Sequence, residues 1–328
     1  MCGRKFYKQI FTFSVTMITL KCIEFLRGGD TVIIKLRKSV MLLVTAVVFI
    51  LAFFGITAEN TASASADIES AARQQSVRVP IIMYHQISTH SNNLGRYVLS
   101  LSQLENDLKY IKENGFTTVN VGDLIDYVSG ESKLPEKSIM LTFDDGYETG
   151  YTMLYPLLKK YEMCAVVSVI GSLTDLYTQI DDHNDRYSYL TWDEVKTLAG
   201  TPEIEIQNHS YDMHYTESGK RKGISKMKGE SSEDYYNALY ADVGKMQLLL
   251  MKKAGCTATA MAYPFGSYTK ETTEVCKRLG FKCSFTCEEK INKIVRFNAD
   301  SLFDLGRYNR PSGKTSSGFF DKIFNEFS

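Results

Sequence analysis

The chain has 328 residues, which is enough for one large α/β barrel or for two domains of average size. It carries 38 basic and 38 acidic residues, and this balance argues against a nucleic-acid partner, which usually requires a basic surplus. Hydrophobic residues make up 44% of the chain, so a large core can form.

The N-terminal part differs from the rest of the chain. Residues 1–38 form an extension without an assigned function, and a start of translation further along the chain would omit it. Residues 39–58 carry no charge and are long enough to cross a hydrocarbon layer of roughly 30 Å. A small polar stretch with two A-x-A patterns follows, as after a secretory signal. We therefore expect an exported protein, either secreted or anchored on the extracellular face of the membrane through this segment; the alternative is a buried core helix.

The remaining chain divides into a polar linker at residues 59–78 and a folded domain at residues 79–328. In that domain, apolar runs alternate with patterns of helical spacing, and Ser100 and Thr191 are predicted helix N-caps. Pro156 predicts a kink or a late helix start. The predicted strands are residues 80–84, 116–121, 138–143, 165–171, 203–207, 258–263 and 283–286, and the predicted helices are 101–114, 121–128, 151–161, 191–199, 231–254 and 270–279.

Mostly apolar strands that alternate with helices predict parallel strands covered by helices, and about seven such units favour a barrel over an open doubly wound sheet. Neither glycine-rich nucleotide motif, G-x-G-x-x-G or G-x-x-x-x-G-K, occurs in the chain. Nucleotide binding is therefore not predicted. Five cysteines follow the apolar segment, and this odd number leaves at least one of them without an intrachain partner: Cys164, Cys256, Cys276, Cys283 and Cys287.

Chemically active side chains follow the predicted strands, where parallel α/β barrels hold their sites. Asp144 and Asp145 are adjacent carboxylates that repel each other, so a cation bound at one would leave the other free as a base. Gly146 permits a tight turn there, although an ordinary solvated turn has the same pattern. His209 and His214 follow another strand and can reach one ion. Two histidines, a carboxylate and an open position form a catalytic zinc pattern; the alternative is two unrelated surface histidines.

Three motifs in this order carry a specific resemblance: TFDDGY at residues 142–147, HSYDMH at 209–214 and YPFG at 263–266. Together they resemble the polysaccharide deacetylases of carbohydrate esterase family 4, the NodB-homology domain, over about residues 79–311. The start PIIMYHQI at residues 80–87 is most similar to the branch that includes exported poly-N-acetylglucosamine deacetylases. The resemblance implies a distorted, incomplete (β/α) barrel of about seven parallel strands.

The resemblance also implies roles for the motif residues. Asp144 matches the catalytic base, and Asp145, His209 and His214 match the ligands of a divalent metal. Zinc is the expected ion, with cobalt, manganese and nickel as alternatives. The backbone N–H of Tyr147 matches the donor that stabilises the oxyanion.

The chain departs from the commoner family pattern in two places. No histidine follows His214, so the usual Leu-x-His acid is missing, and His85 is the candidate to replace it; a core histidine is the alternative reading. The usual arginine of the third motif is also missing beside Pro264, a candidate substrate-binding residue. Arg307 is the candidate to orient Asp144; otherwise it forms a structural ion pair.

Three other residues receive plainer interpretations. His90 and His183 lie in polar stretches and are expected in solvated loops, and Trp192 is expected in the core. The leading hypothesis is a metal-dependent hydrolase that removes N-acetyl groups from an N-acetylglucosamine polysaccharide. The alternatives are an O-acetyl esterase acting on xylan-type glycans and a non-catalytic wall-binding protein.

Overall fold

The computed structural model describes residues 75–216 and 221–327, which belong to one compact unit, Ala71–Ser328. Seven strands form one curled parallel sheet in the spatial order β10, β9, β8, β7, β6, β2, β12, and β5 also pairs with the start of β6. In the described residues no strand ladder joins β10 to β12, so the barrel is incomplete, as expected. The strands are β1 (Ser76–Val79), β2 (Ile81–Tyr84), β3 (Gln86–Ser88), β4 (Val98–Ser100), β5 (Thr117–Thr118), β6 (Ser138–Phe143), β7 (Ala165–Val169), β8 (Ile204–Asn208), β9 (Ala260–Ala262), β10 (Cys283–Phe285), β11 (Asn292–Val295) and β12 (Tyr308–Asn309).

Helices cover the sheet and begin at the residues that the caps predict. The side chains of Ser100 and Thr191 each accept a hydrogen bond from a backbone N–H of the first helical turn. Pro156 lies in the first turn of its helix, after a π-helical turn at Gly150–Leu154, which explains the late start. The helices are α1 (Leu101–Glu113), α2 (Val121–Ser129), α3 (Tyr155–Tyr161), α4 (Gly171–Ile180), α5 (Trp192–Ala199), α6 (Ser232–Leu249), α7 (Lys270–Arg278) and α8 (Ser316–Phe327).

Two apolar layers hold the sheet in place. All residues of β6 are buried, because both faces of a covered parallel sheet exclude water. Leu141 belongs to the layer that contacts most of the helices, including Trp192 of α5, which lies in the core as expected. Met140, one residue earlier, points into the layer on the opposite face, which also holds Leu124 of α2. Burying each such side chain contributes about 1.5–3 kcal/mol, so the positions of the strand ends are well determined.

The folded domain begins before the expected boundary at residue 79. Ser76–Val79 lies at the end of the stretch expected to be a linker, but it pairs antiparallel with Asn292–Val295. The expected strand at 116–121 is also shorter than predicted, because only Thr117–Thr118 pairs with β6. Two helices were not predicted, α4 and α8. The first begins only two residues after β7 ends, inside the stretch that was expected to continue as strand.

Several expectations fall on residues outside the described part. The extension at 1–38, the signal or anchor at 39–58 and most of the linker lie there, so these remain predictions. Among the described residues, no helix combines the length and apolarity needed to cross a bilayer. The five cysteines of the described part are all free thiols.

Candidate metal centre and active site

The candidate side chains meet at one edge of the sheet. His85 follows β2, Asp144 and Asp145 follow β6, and His209 follows β8. Because these strands are parallel, their carboxyl ends lie at the same edge. His214 lies five residues after His209, in the loop that leaves β8.

Asp145, His209 and His214 converge on one point. The Nε2 atoms of His209 and His214 lie 3.4 and 3.3 Å from Oδ1 of Asp145. That oxygen is buried and accepts no hydrogen bond in the described residues. Zinc ligands about 2.0–2.1 Å from a tetrahedral ion are separated by about 3.3–3.4 Å, which is longer than a good hydrogen bond. The spacing and the orphaned oxygen therefore fit a bound divalent ion.

The turn after β6 is built to bring Asp145 to this point. Asp145 and Gly146 both have left-handed backbone conformations, with φ of 73° and 75°. A Cβ on Gly146 would lie 2.8 Å from Cγ1 of Val169, so the neighbouring strand leaves no room for a side chain. Glycine is therefore required at this position, and a left-handed aspartate beside it indicates strain at a functional site.

His209 is oriented through its second ring nitrogen. Nδ1 lies 2.9 Å from the carbonyl oxygen of Ala262, and because that oxygen only accepts, Nδ1 carries the hydrogen. Nε2 is then free to present a lone pair towards Asp145, as in many metal centres. Burial lowers the pKa of His214 to about 4, which favours the neutral, ligating form.

Asp144 is held by Arg307 in a two-point ion pair. Arg307 Nη1 and Nη2 each lie 2.7 Å from one oxygen of the Asp144 carboxylate, and both side chains are almost fully buried. Nη1 also donates to Thr142 Oγ1, and Nε donates to the carbonyl oxygen of Thr286. Burial opposes ionisation of Asp144, but Arg307 keeps the pKa of its carboxyl group well below the usual range. This ion pair places the charged carboxylate of Asp144 beside the cluster of Asp145, His209 and His214.

His85 and Tyr147 lie beside this cluster. Nδ1 of His85 is buried without a hydrogen-bond partner in the described residues, and the ring contacts Tyr97 with 4.7 Å between centroids. Burial lowers the pKa of His85, although Asp144 and Asp145 oppose that shift. On either side of Tyr147, the N–H of Glu148 donates to the carbonyl oxygen of Ser188, and the N–H of Leu190 donates to that of Gly146. The Tyr147 N–H itself donates no hydrogen bond in the described part of the chain, so it is available to a ligand.

The third motif presents a different side chain from the one expected. Pro264 is buried in a short turn, whereas the next residue, Phe265, is 41% exposed. The Phe265 ring lies 4.3 Å from the His214 ring, and its φ is 61°, in the left-handed region. Phe265 was not among the predicted site residues. Its position depends on a backbone conformation that apolar residues rarely adopt, and no sequence pattern indicates that conformation.

His90 and His183 lie in exposed loops, as expected, but each has an acidic partner. His90 Nε2 lies 3.0 Å from Asp185, and His183 Nδ1 lies 2.5 Å from Glu148. Glu194 lies close to His183 and Glu148, so these three residues form a second group that could hold a metal ion. However, the His183–Glu148 distance fits a shared hydrogen and leaves no room for an ion between those atoms. We interpret this cluster as a hydrogen-bonded loop anchor.

Comparison with known proteins identifies a family for part of the chain. Residues 131–284 match the family model for polysaccharide deacetylase, and the match contains Asp144, Asp145, His209 and His214. Residues 131–284 therefore belong to the polysaccharide deacetylase family.

Two curated proteins are similar to the chain. The poly-beta-1,6-N-acetyl-D-glucosamine N-deacetylase of Escherichia coli K12 is 26% identical over 253 residues, covering 71% of this chain and 37% of that protein. The enzyme of the same name from Staphylococcus aureus MRSA252 is 25% identical over 268 residues, covering 78% of this chain and 88% of that protein. The chain thus spans little more than a third of the length of the E. coli relative.

A solved structure is also similar to the chain. IcaB from Ammonifex degensii is 25% identical and has a TM-score of 0.59, covering 72% of this chain and 93% of that chain. The fold described above is therefore shared with that structure, of which 93% is covered.

Proposed function

We propose that this polysaccharide deacetylase-family domain hydrolyses N-acetyl groups of an N-acetylglucosamine polysaccharide in a cell wall or exopolysaccharide. The main supporting observation is the convergence of Asp145, His209 and His214 beside the buried Asp144–Arg307 pair. The names of the E. coli and S. aureus relatives support the choice of polymer.

In this proposal Asp145, His209 and His214 hold one divalent ion, most simply zinc because the donor set is two imidazoles and one carboxylate. Cobalt, manganese and nickel accept the same donors, so the cellular supply also decides which ion is present. When bound, the ion polarises the acetyl carbonyl and lowers the pKa of a water molecule towards about 7.

Asp144 is the proposed general base. Its carboxylate is ionised and held in a fixed orientation by Arg307, so it can accept the proton of the attacking water without first moving. Arg307 occupies one acceptor direction on each Asp144 oxygen, and the remaining lone pairs are free to accept that proton. Arg307 is accordingly a positioning residue.

The other two roles fall to Tyr147 and His85. As the water oxygen bonds to the acetyl carbon, negative charge develops on the carbonyl oxygen, and the Tyr147 N–H donates a hydrogen bond to it. When the C–N bond breaks, the sugar nitrogen takes a proton from His85. Burial lowers the pKa of His85, so its protonated form gives the proton up readily. The proton that Asp144 accepted from the water then replaces it, which returns both residues to their starting states. The products are acetate and a free amino group on the sugar.

The exposed Phe265 ring is the proposed contact for the sugar beside His214. Aromatic faces offer an apolar surface to the C–H groups of a sugar ring, and Phe265 projects from the turn that Pro264 begins. In this view Pro264 contributes the shape of the turn, and the ring of Phe265 makes the substrate contact.

We further propose that the protein acts outside the cytoplasm. Residues 39–58 carry no charge, and a small-residue stretch follows them, which favours a signal or a membrane anchor. A fusion of residues 1–78 to a reporter enzyme that is active only outside the cytoplasm tests this proposal, and an expressed fusion without reporter activity would contradict it.

The decisive experiment measures acetate release by the purified full-length chain from a β-1,6-linked N-acetylglucosamine oligomer, a chito-oligomer and acetylated xylan. We expect release from an N-acetylated oligomer, loss of release after treatment with a chelator, and recovery with zinc. Asp144→Asn should abolish turnover but keep the metal, whereas exposed Asp193→Asn is the matched control and should behave as wild type.

The alternatives give different results in the same assay. Release from acetylated xylan alone would support an O-acetyl esterase, and glycan binding without any release would support a wall-binding protein. Acetate release that is insensitive to the chelator would contradict the metal-dependent mechanism.

A further inference from the structure

The short loop between His209 and His214, the two histidines of the candidate metal centre, has no regular structure of its own. Residues 210–213 form neither helix nor strand, and Ser210 has a φ of 73°. His209 is fixed by its strand and by Ala262, but the approach of His214 depends on how this loop is held. The elements around the loop therefore decide whether both imidazoles can reach Asp145 together.

One side of the loop is held by the start of α4. The N–H of Gly171 donates to the carbonyl oxygen of Ser210 at 3.1 Å, and the N–H of Ser172 donates to that of Tyr211 at 2.7 Å. These N–H groups belong to the first turn of a helix and have no partner within it. A Cβ on Gly171 would lie 2.6 Å from the Tyr211 ring, so the loop and the helix are in close contact.

The other side of the loop is held by one carboxylate from α6. Oδ1 of Asp242 accepts the N–H of Tyr211 at 2.9 Å, and Oδ2 accepts the N–H of Asp212 at 2.8 Å. Lys245, one turn further along α6, lies 3.3 Å from the centre of the Tyr211 ring. Asn208, at the end of β8, donates to the carbonyl oxygen of Val243 at 3.2 Å, which joins the same helix to the strand.

An aspartate suits this position for a specific reason. Two successive N–H groups that point the same way need two acceptors, and a carboxylate supplies them without adding a donor. Burial raises the pKa of Asp242, so holding a charge here is unfavourable unless these two hydrogen bonds compensate for it. An amide at this position would offer one acceptor and turn an NH₂ group towards the second N–H.

We propose that Asp242 is a positioning residue for the metal centre: by fixing the backbone of Tyr211 and Asp212 it sets the distance between the His209 and His214 imidazoles. This inference rests on the proposed metal-dependent function, because it concerns the same ion. Asp242 contacts neither substrate nor ion; it acts through the loop. Replacing Asp242 should therefore weaken metal binding more than it lowers the stability of the fold.

The test uses the full-length chain, stripped of metal, and measures zinc affinity by competition with a fluorescent chelator. Asp242→Asn should bind zinc about tenfold more weakly than wild type, and Asp242→Ala more weakly still, as for other residues that orient metal ligands. Glu233→Gln, an exposed carboxylate on the same helix without a partner in the described residues, is the matched control and should bind as wild type.

A second readout separates positioning from a general loss of stability. The visible absorption spectrum of the cobalt-loaded chain reports the geometry of the ligands, and Asp242→Asn should change it while the thermal midpoint of the metal-free protein stays close to that of wild type. Equal zinc affinity and an unchanged cobalt spectrum in Asp242→Asn would overturn the inference. A wild-type chain that binds no zinc would overturn the proposed function itself, which is a distinct result.

Discussion

Replacing Arg307 by methionine tests how the candidate base is held. Arg307→Met keeps most of the volume of the side chain but removes the only cation that contacts Asp144 in the described residues. The Asp144 carboxylate would then be buried with its charge uncompensated. We expect a strong loss of stability and of turnover, with metal binding less affected.

The magnitude follows from the burial of the pair. The side chains of Arg307 and Asp144 are 0% and 3% exposed, so solvent does not screen their interaction as it does at a surface. Breaking a buried pair by removing one partner typically costs about 3–5 kcal/mol in the free energy of unfolding. The substitution also removes the hydrogen bonds from Arg307 to Thr142 and to the Thr286 carbonyl oxygen. The expected loss of stability therefore lies towards the upper end of this range.

The assay is a double-mutant cycle with Arg307→Met, Asp144→Asn and the double variant, each unfolded by urea in the metal-free state. Because the two side chains are in direct contact, the double variant should be more stable than the sum of the single effects predicts, by about 1–3 kcal/mol. If the two single effects on the free energy of unfolding add up to that of the double variant to within about 0.5 kcal/mol, Arg307 and Asp144 do not stabilise each other, and the reasoning is refuted.

Three further variants test separate parts of the site. His85→Ala should lower kcat for an N-acetylated oligomer by about 10²- to 10⁴-fold but affect hydrolysis of an activated aryl acetate much less, because that leaving group needs no proton. Phe265→Ala should raise KM by about threefold to tenfold with little change in kcat, as expected from loss of an aromatic contact. Gly146→Ala should destabilise the protein by about 1–3 kcal/mol in urea unfolding, because the added methyl group meets Val169. Gly244→Ala is its matched control, since that glycine lies in α6 with open space around it, and it should be neutral or stabilising.

A different result would contradict each of these three predictions. Equal losses of amide and ester hydrolysis in His85→Ala would remove the acid role from this residue. An unchanged KM in Phe265→Ala would exclude its ring from substrate binding. A Gly146→Ala variant as stable as wild type would show that the turn tolerates a side chain and that the strain argument is wrong.

The positions of Asp145 and His209 could be predicted because each of them follows an apolar strand. Parallel strands bring their carboxyl ends to one edge, so Asp145 and His209 were expected to meet although 64 residues separate them (209 − 145). The pairing of Arg307 with Asp144 was one of two readings for that arginine, and the structure brings the two side chains into contact.

Other parts depend on contacts that no local pattern encodes. The strand Ser76–Val79 exists because Asn292–Val295 lies beside it, and the sequence around it is polar enough to suggest a linker. The Phe265 ring reaches His214 only through a left-handed backbone, and Asp242 reaches the histidine loop from a different helix. Such features arise from tertiary packing, which overrides propensities read from a single stretch of sequence.

The central claim is tested most directly by diffraction from crystals of the chain grown with zinc, with data collected at the zinc absorption edge. The account predicts one anomalous peak per chain, bonded to Asp145 Oδ1 and to Nε2 of His209 and His214 at about 2.0–2.2 Å, with Asp144 not bonded to it. A peak at another position, or an ion bonded to Asp144 in place of Asp145, would contradict the account.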